Sequence, residues 1–330
     1  MPAEGLVQKA GAGSEKDNQR GSAEVRDISM LKTVLDNGEF AVTAECSPPK
    51  GADPDAVIKK AELLRGKVDA VNVTDNQTAV VHMSSLAACM LLKREGLDPV
   101  LQMVVRDRNR IALQSDILGA SAIGIRNVLC LSGDHQIFGN QPQALGVFDL
   151  DSIQLVKAVK DMRDEGVIIG GDPLSRPPDL FIGAAENPFA DPLSFRVVRL
   201  AKKTAAGAEF IQTQCIYNLE RFIQWMDMVN ERGLTDKVYI LGGVTPLKST
   251  AMARYMNDRV SGVSIPEDVI KRIEGVSKKK QREEGIAICT ETIQRLKEIK
   301  GVSGVHIMAI EWEEAVGEIV ERAGLLPRPI

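Results

Sequence analysis

Two acidic residues lie at the ends of apolar runs, where acid–base chemistry is plausible. Glu45 closes the run FAVTAEC, and Asp134 follows Ser132 and Gly133 after the run IRNVLCL. Burial disfavours a charged carboxylate, so Glu45 is a candidate general acid. A carboxylate in a tight turn can stabilise a developing cation or accept a hydrogen bond from a ring N–H. The pair indicates an acid and an electrostatic stabiliser without naming a reaction.

Other polar residues interrupt runs that are otherwise apolar. A buried amide or carboxylate needs a hydrogen-bonding partner or a ligand. One such residue usually has a structural role, whereas several that converge at one end of a fold indicate a site for a polar ligand. The residues in question are Asn72, Thr74, Gln102, Glu186, Gln212 and Gln214.

The elements that position these residues follow a regular rhythm of short apolar runs and amphipathic segments. Continuous apolar runs are typical of parallel strands buried on both faces. The predicted strands are 40–46, 68–74, 99–105, 125–131, 180–186, 209–215, 237–243 and 304–310. The predicted helices are 29–36, 53–65, 80–95, 108–119, 151–165, 192–206, 219–232, two within 247–300, and 312–323.

Eight units of this kind predict an α/β fold, a (β/α)8 TIM barrel, whose chemistry lies at the carboxyl ends of the strands. A doubly wound open sheet is the alternative, but no G-x-G-x-x-G follows the first strand. We predict a single domain over 27–330 and a disordered, flexible tail over 1–26, which is almost without apolar residues. The Pro- and Gly-rich segment 166–179 is predicted to be a loop.

Composition excludes several classes of protein. The net charge of −4 argues against a nucleic-acid binder. No run approaches the roughly 20 apolar residues of a membrane span. Five dispersed cysteines without C-x-x-C, and only three histidines, exclude a disulfide framework and standard zinc motifs. We therefore expect a cytoplasmic protein with no metal, no nucleic-acid partner and no membrane association.

Five segments, in order and spacing, give the chain a resemblance to a known family. They are TAECSPPKG, VNVTDN, LCLSGDH, AAENP and FIQTQCIYN. Together they resemble the methylenetetrahydrofolate reductase family over about residues 39–310. The resemblance implies a flavoprotein barrel of one-carbon metabolism that reduces 5,10-methylenetetrahydrofolate to 5-methyltetrahydrofolate by hydride transfer from flavin N5. Tetrahydrofolate interconversion and methionine biosynthesis are the implied setting.

The resemblance also implies roles for individual residues. Glu45 matches the family's general acid, which protonates a folate nitrogen so that the ring opens to a 5-iminium cation. Asp134 matches the carboxylate that stabilises this cation, and Gln214, with Gln212, matches the pterin contacts. The implied flavin contacts are Thr74, Gln102, Leu131, Ser132, Gly133, Asp134 and, more loosely, Phe148, Asp151, Ala184, Glu186 and Lys203.

Departures from the family pattern lie in its outer site. Thr250 stands where an aromatic residue packs on the folate, and Glu311-Trp312 replaces a usual Asn-Arg. The implied cofactor is FAD ahead of FMN, and the electron donor stays open between NAD(P)H and a partner subunit. The expected assembly is a homo-oligomer or a hetero-complex. Two alternatives are a pterin-binding methyltransferase barrel without flavin and an electron-accepting subunit of a larger one-carbon complex.

Overall fold

A computed structural model describes residues 28–260 and 262–329. The predicted tail over 1–26 lies outside the described residues. The strands are β1 (Ala41–Cys46), β2 (Ala70–Val73), β3 (Pro99–Val104), β4 (Asn127–Leu131), β5 (Phe181–Glu186), β6 (Phe210–Cys215), β7 (Tyr239–Val244) and β8 (Val302–Ile307). The helices are α1 (Met30–Asp36), α2 (Pro54–Leu64), α3 (Ser85–Arg94), α4 (Arg110–Ala122), α5 (Ser152–Asp164), α6 (Leu193–Ala206), α7 (Leu219–Glu231), α8 (Thr250–Arg259), α9 (Glu267–Glu274), α10 (Gln281–Glu298) and α11 (Glu314–Arg322).

The eight strands form one closed parallel barrel in sequence order, which confirms the predicted fold class. Closure is made by β1 and β8, where Thr43 pairs with His306 in register. On the other edge of β1, Glu45 pairs with Asn72 of β2. Because side chains alternate along a strand, this register places Thr43 and Glu45 on the same face of β1, one layer apart.

The outer layer of the barrel is built from amphipathic helices with defined starts. In α5, Asp151 accepts a hydrogen bond from the Gln154 amide while the Gln154 side chain bonds back, a capping box that fixes the first turn. The buried faces of these helices form the main core against the outer faces of the strands, with Trp225 and Phe222 among its largest side chains. No helix in the described part of the chain is long and apolar enough to cross a bilayer.

The amino ends of the strands are closed by α1. Leu31, Val34 and Leu35 of this helix are buried against inward-facing residues of the strands, including Phe181 and Phe210. The N-cap residue Ser29 accepts from the Lys32 amide and donates to Asn127 Oδ1 at 2.5 Å, which ties the helix to the start of β4. The half of the barrel interior at the amino ends of the strands is therefore filled with apolar side chains.

Several sequence predictions differ from the structure in detail. The last strand, predicted over 304–310, lies at Val302–Ile307. The prediction of two helices within 247–300 is wrong, because α8, α9 and α10 all lie there. Pro266 ends the extended link after α8 and precedes α9, since proline fits the start of a helix but not its interior. The predicted helix 80–95 begins later, at Ser85, after a single 3₁₀ turn over Gln77–Ala79. The loop 166–179 is confirmed, with one bridge between Val167 and Pro173.

Candidate functional site

A cavity of about 380 Å³ opens at the carboxyl ends of the strands. Its size falls within the range of small-molecule sites. Residues from strands β1, β3, β4, β5 and β6, the β8 end and helix α6 line it, so barrel closure alone brings them together. They are Glu45, Gln102, Leu129, Cys130, Leu131, Ser132, Ser152, Ala185, Glu186, Asn187, Arg196, Arg199, Lys203, Gln212, Thr213, Gln214, His306 and Met308.

The floor of the cavity is an interior polar network of Thr43, Asn72, Gln212 and His306. The amides of Asn72 and Gln212 bond each other reciprocally, at 2.7 and 2.9 Å. Gln212 Nε2 also donates to Thr43 Oγ1 at 3.1 Å, and Thr43 Oγ1 lies 2.9 Å from His306 Nδ1. All four residues are buried, so the network satisfies polar groups that would otherwise be costly.

Glu45 lies one layer above this network, with its side chain 12% exposed. Its Oε1 is 3.7 Å from His306 Nε2, the second ring nitrogen of the histidine that Thr43 contacts. The carboxyl group therefore faces the cavity with one oxygen turned towards the barrel interior. This position suits a group that gives a proton to a ligand in the cavity.

Helix α6 supplies a cationic wall. Arg196, Arg199 and Lys203 are spaced so that they share one face of the helix, and all three line the cavity. Lys203 pairs with buried Glu186 at 2.7 Å and donates to the Ala185 carbonyl at 2.5 Å. Burial lowers the pKa of Lys203, and the Glu186 charge opposes that shift. Arg199 makes no ion pair with a described residue, so its charge is available to an anion.

Two side-chain amides face the cavity, one from β3 and one from β6, and they differ in their hydrogen bonds. Gln102 is buried, and its side chain has no hydrogen-bond partner within 28–260 or 262–329. An amide that opens onto a cavity can bond a ligand that carries donors and acceptors. In contrast, Gln214 Oε1 accepts from the Cys215 amide at 3.0 Å.

Asp134 lies at the rim, in the segment after β4, and does not line the cavity. Its carboxylate accepts from the Thr78 amide at 3.1 Å, and its carbonyl accepts from Arg106 Nη1 at 2.9 Å. The neighbouring segment after β2 holds Asn76, Thr78 and Ala79 at positive φ. Non-glycine residues in this region store strain and cluster at functional sites.

The cavity brings together eight of the predicted site residues and leaves six outside its lining. Inside are Glu45, Gln102, Leu131, Ser132, Glu186, Lys203, Gln212 and Gln214; outside are Thr74, Gly133, Asp134, Phe148, Asp151 and Ala184. Some of these have other structural tasks. Asp151 caps α5, Ala184 is packed in the main core, and the Gln212 amide is engaged by Asn72 and Thr43.

Sequence reasoning assigned no site role to Thr43, Arg196, Arg199 or His306. The spacing of Arg196, Arg199 and Lys203 along one predicted helix was a usable signal for a cationic face. Thr43 and His306 gave none, because only closure between the first and last strands makes them neighbours.

The cysteine thiols and the possible metal ligands were compared with this site. Burial raises the pKa of the Cys46 and Cys215 thiols to about 12, so neither has thiolate character. All five cysteines are free and buried. The described residues contain no cluster of His, Cys, Asp and Glu suited to a metal ion.

Comparison with known proteins gives one family. The family model described as methylenetetrahydrofolate reductase matches residues 30–324. Methylenetetrahydrofolate reductase 1 of Schizosaccharomyces pombe is 26% identical over 70% of this chain and 36% of its own length. The 5,10-methylenetetrahydrofolate reductase of Buchnera aphidicola is 21% identical over 91% of this chain and 97% of its own length.

The chain spans only 36% to 44% of the length of four eukaryotic relatives that it matches. Among solved structures, an uncharacterised Clostridium thermocellum protein that binds two copies of 5-methyl-5,6,7,8-tetrahydrofolic acid is similar with a TM-score of 0.62. It is 16% identical, over 92% of this chain and 100% of that one. At that identity the likeness establishes the fold.

Proposed function

Because the chain belongs to the methylenetetrahydrofolate reductase family, we propose that it reduces 5,10-methylenetetrahydrofolate to 5-methyltetrahydrofolate with a bound flavin. The observation that carries the proposal is the grouping of Glu45, Gln102 and Arg199 around one cavity. These are an acid, an amide and a cation, and neither the amide nor the cation has a side-chain partner among residues 28–260 and 262–329. The 5-methyltetrahydrofolate bound by the Clostridium thermocellum protein of the same fold supports a folate as the substrate.

The residues present fit a flavin. A flavin carries a planar ring with donors and acceptors along its edge and an anionic phosphate tail. Gln102, buried without a protein partner, suits the ring, and Arg199 with Arg196 suits the phosphate. Lys203 is paired with Glu186, so it adds positive charge to this wall but is not itself free to bind the phosphate. When bound, the flavin supplies the hydride.

The chain's own residues supply placement and proton chemistry. Glu45 donates its proton to a folate nitrogen, so that the five-membered ring opens to a 5-iminium cation. Gln214, half-buried on β6, orients the pterin ring from the opposite wall. Asp134, held at the rim by Thr78 and Arg106, supplies the negative charge that stabilises the cation. The remaining flavin contacts, Thr74, the backbone of Leu131–Gly133 and Phe148, stay predictions from the sequence.

Denaturation of the purified protein tests the cofactor, because it releases a bound flavin that mass spectrometry identifies as FAD or FMN. In a separate experiment, the flavin of the native protein is reduced anaerobically with dithionite, so that the assay does not depend on the natural electron donor. We expect methylenetetrahydrofolate to reoxidise the bound flavin, with 5-methyltetrahydrofolate as the product. Tetrahydrofolate without the methylene carbon is the matched control and should leave the flavin reduced.

Two results would contradict the proposal. One is a protein that holds no flavin even after reconstitution; methyl transfer by such a protein would instead favour the methyltransferase alternative. The other is a reduced flavin that methylenetetrahydrofolate does not reoxidise. The electron donor, the partner subunit, the oligomeric state and the cytoplasmic location stay predictions from the sequence.

A further inference from the structure

His306 links the interior polar network to Glu45. The ring nitrogen Nδ1 lies 2.9 Å from the Thr43 hydroxyl, and Nε2 lies 3.7 Å from Glu45 Oε1. His306 is buried, and its ring is held between these two side chains. Its tautomer therefore decides whether an N–H or a lone pair is directed at Glu45.

The direction of the hydrogen bonds in the network favours one tautomer of His306. Gln212 Nε2 donates to Thr43 Oγ1, which leaves the hydroxyl hydrogen free to donate elsewhere. The hydroxyl has two acceptors within reach, His306 Nδ1 at 2.9 Å and the Val305 carbonyl at 3.4 Å. The shorter contact favours Nδ1. A neutral imidazole that accepts at Nδ1 carries its hydrogen on Nε2.

We propose that His306 is a positioning residue for Glu45, held as the Nε2–H tautomer by the Thr43 hydroxyl and the Asn72–Gln212 amide pair. The Nε2–H is directed at Glu45 Oε1, which leaves Oε2 to carry the acidic proton of Glu45 towards the cavity. After that proton is given to the ligand, the same N–H stabilises the carboxylate that remains. The separation of 3.7 Å is longer than a hydrogen bond, and we expect it to shorten when substrate binds, as catalytic hydrogen bonds commonly do.

The opposite tautomer would work against this role. If the Asn72 and Gln212 amides were both reversed, Gln212 would accept from Thr43, and His306 Nδ1–H would donate to Thr43. The Nε2 lone pair would then face Glu45 and attract its proton away from the cavity. The direction of the amide pair, three contacts from Glu45, thus decides where the acid presents its proton. This inference rests on the proposed function for the role of Glu45 as acid.

Nitrogen NMR of the protein labelled with ¹⁵N-histidine tests the tautomer directly. The chain has only three histidines, and the signals of His306 are those lost in His306→Gln. We expect the Nε2–H pattern in the parent protein. Thr43→Val removes the hydroxyl but keeps the branched shape, and should release His306 from this single tautomer. Thr43→Ser keeps the hydroxyl and should restore it.

Turnover gives a second readout. We expect Thr43→Val to lower kcat about tenfold or more while KM and flavin content change little, because a misdirected imidazole impairs the chemical step. Thr43→Ser should recover most of that loss, and circular dichroism checks that both variants fold. An Nδ1–H tautomer in the parent protein, an unchanged tautomer in Thr43→Val, or equal losses of kcat in the two variants would each overturn the proposal.

The two readouts separate this inference from the proposed function. The tautomer is measured without substrate or turnover. If the parent protein fails to reduce methylenetetrahydrofolate, the proposed function fails, while the NMR result still decides the direction of the network.

Discussion

The two ends of this barrel use the same eight strands for opposite purposes. At the amino ends, α1 fills the interior with Leu31, Val34 and Leu35, and the buried carboxylate of Asp69 is paired with Arg328. At the carboxyl ends, the interior turns polar, and Gln102 and Arg199 face the cavity without a side-chain partner in the part of the chain that the structure describes. Residues that stabilise the fold and residues that line the candidate ligand cavity are thus separated along the strand direction, as is usual for the barrel fold.

The largest expected effect comes from Glu45→Gln at the open end. The amide keeps the size of the side chain but has no acidic proton, so turnover should fall about 10²- to 10⁴-fold, the usual contribution of a general acid. Flavin content and the free energy of unfolding should change little. Stopped-flow reoxidation of the reduced flavin by methylenetetrahydrofolate measures this loss.

Glu39→Gln is the matched control, since Glu39 is exposed just before the other end of β1. It should leave turnover unchanged. Full activity in Glu45→Gln would remove the acid role of Glu45, and equal losses in both variants would remove the contrast between the two ends.

The next largest effect is expected from Arg328→Met at the closed end. Arg328 donates to buried Asp69 from Nε at 2.9 Å and from Nη2 at 2.6 Å, and it also bonds the Phe40 carbonyl. Removal of the guanidinium leaves the Asp69 charge buried and unpaired, which costs about 3 to 5 kcal/mol of unfolding free energy. Urea denaturation measures the loss.

Turnover per folded molecule should survive Arg328→Met, because Arg328 lies far along the strands from the cavity. Arg322→Met, which breaks exposed pairs with Glu283 and Glu318, is the control and should cost less than about 1 kcal/mol. Loss of turnover in folded Arg328→Met would show that the two ends are coupled.

The smallest effect concerns Asp98 and depends on pH. Burial raises the pKa of this carboxyl at the closed end to about 6, against the hydrogen bonds it accepts from Asn127 and the Leu31 amide. The folded state holds the proton more tightly than the unfolded state, so stability falls as pH rises from about 4 through 6. Asp98→Asn mimics the neutral acid and should abolish this fall.

We therefore expect Asp98→Asn to be up to about 3 kcal/mol more stable than the parent protein at pH 7 and to have no advantage at pH 4. Urea denaturation over this pH range provides the comparison. Asp258→Asn, at an exposed site on α8, should follow the parent protein at every pH. An advantage of Asp98→Asn that is the same at pH 4 and pH 7 would contradict the assignment.

Most of the fold could be predicted from the sequence because each strand and helix has its own local pattern of apolar and polar residues. Runs such as FAVTAEC and FIQTQC became β1 and β6, within one residue at most ends. Local patterns also placed Glu45, Gln102 and Gln214 at strand ends, and the structure brings all three to one cavity. The resemblance to a family added roles that no spacing could supply.

Contacts between residues far apart in the chain could not be predicted, because they depend on the closure of the barrel and on where the carboxyl-terminal segment packs. The link from Thr43 to His306 joins residues 263 positions apart, and Arg328 reaches back 259 positions to Asp69. The division of 247–300 into three helices was missed because length and amphipathicity do not reveal where an extended link interrupts them. Asp134 was predicted inside the site, whereas the rim position depends on the strained segment after β2.

The position of α1 and Arg328 has a practical consequence. Both ends of the described chain are anchored under the barrel, on the side opposite the cavity. A label attached to the exposed Pro329, beside Arg328, would lie on the side of the barrel opposite the cavity. Among the described residues, such a label and the cavity would face opposite ends of the barrel.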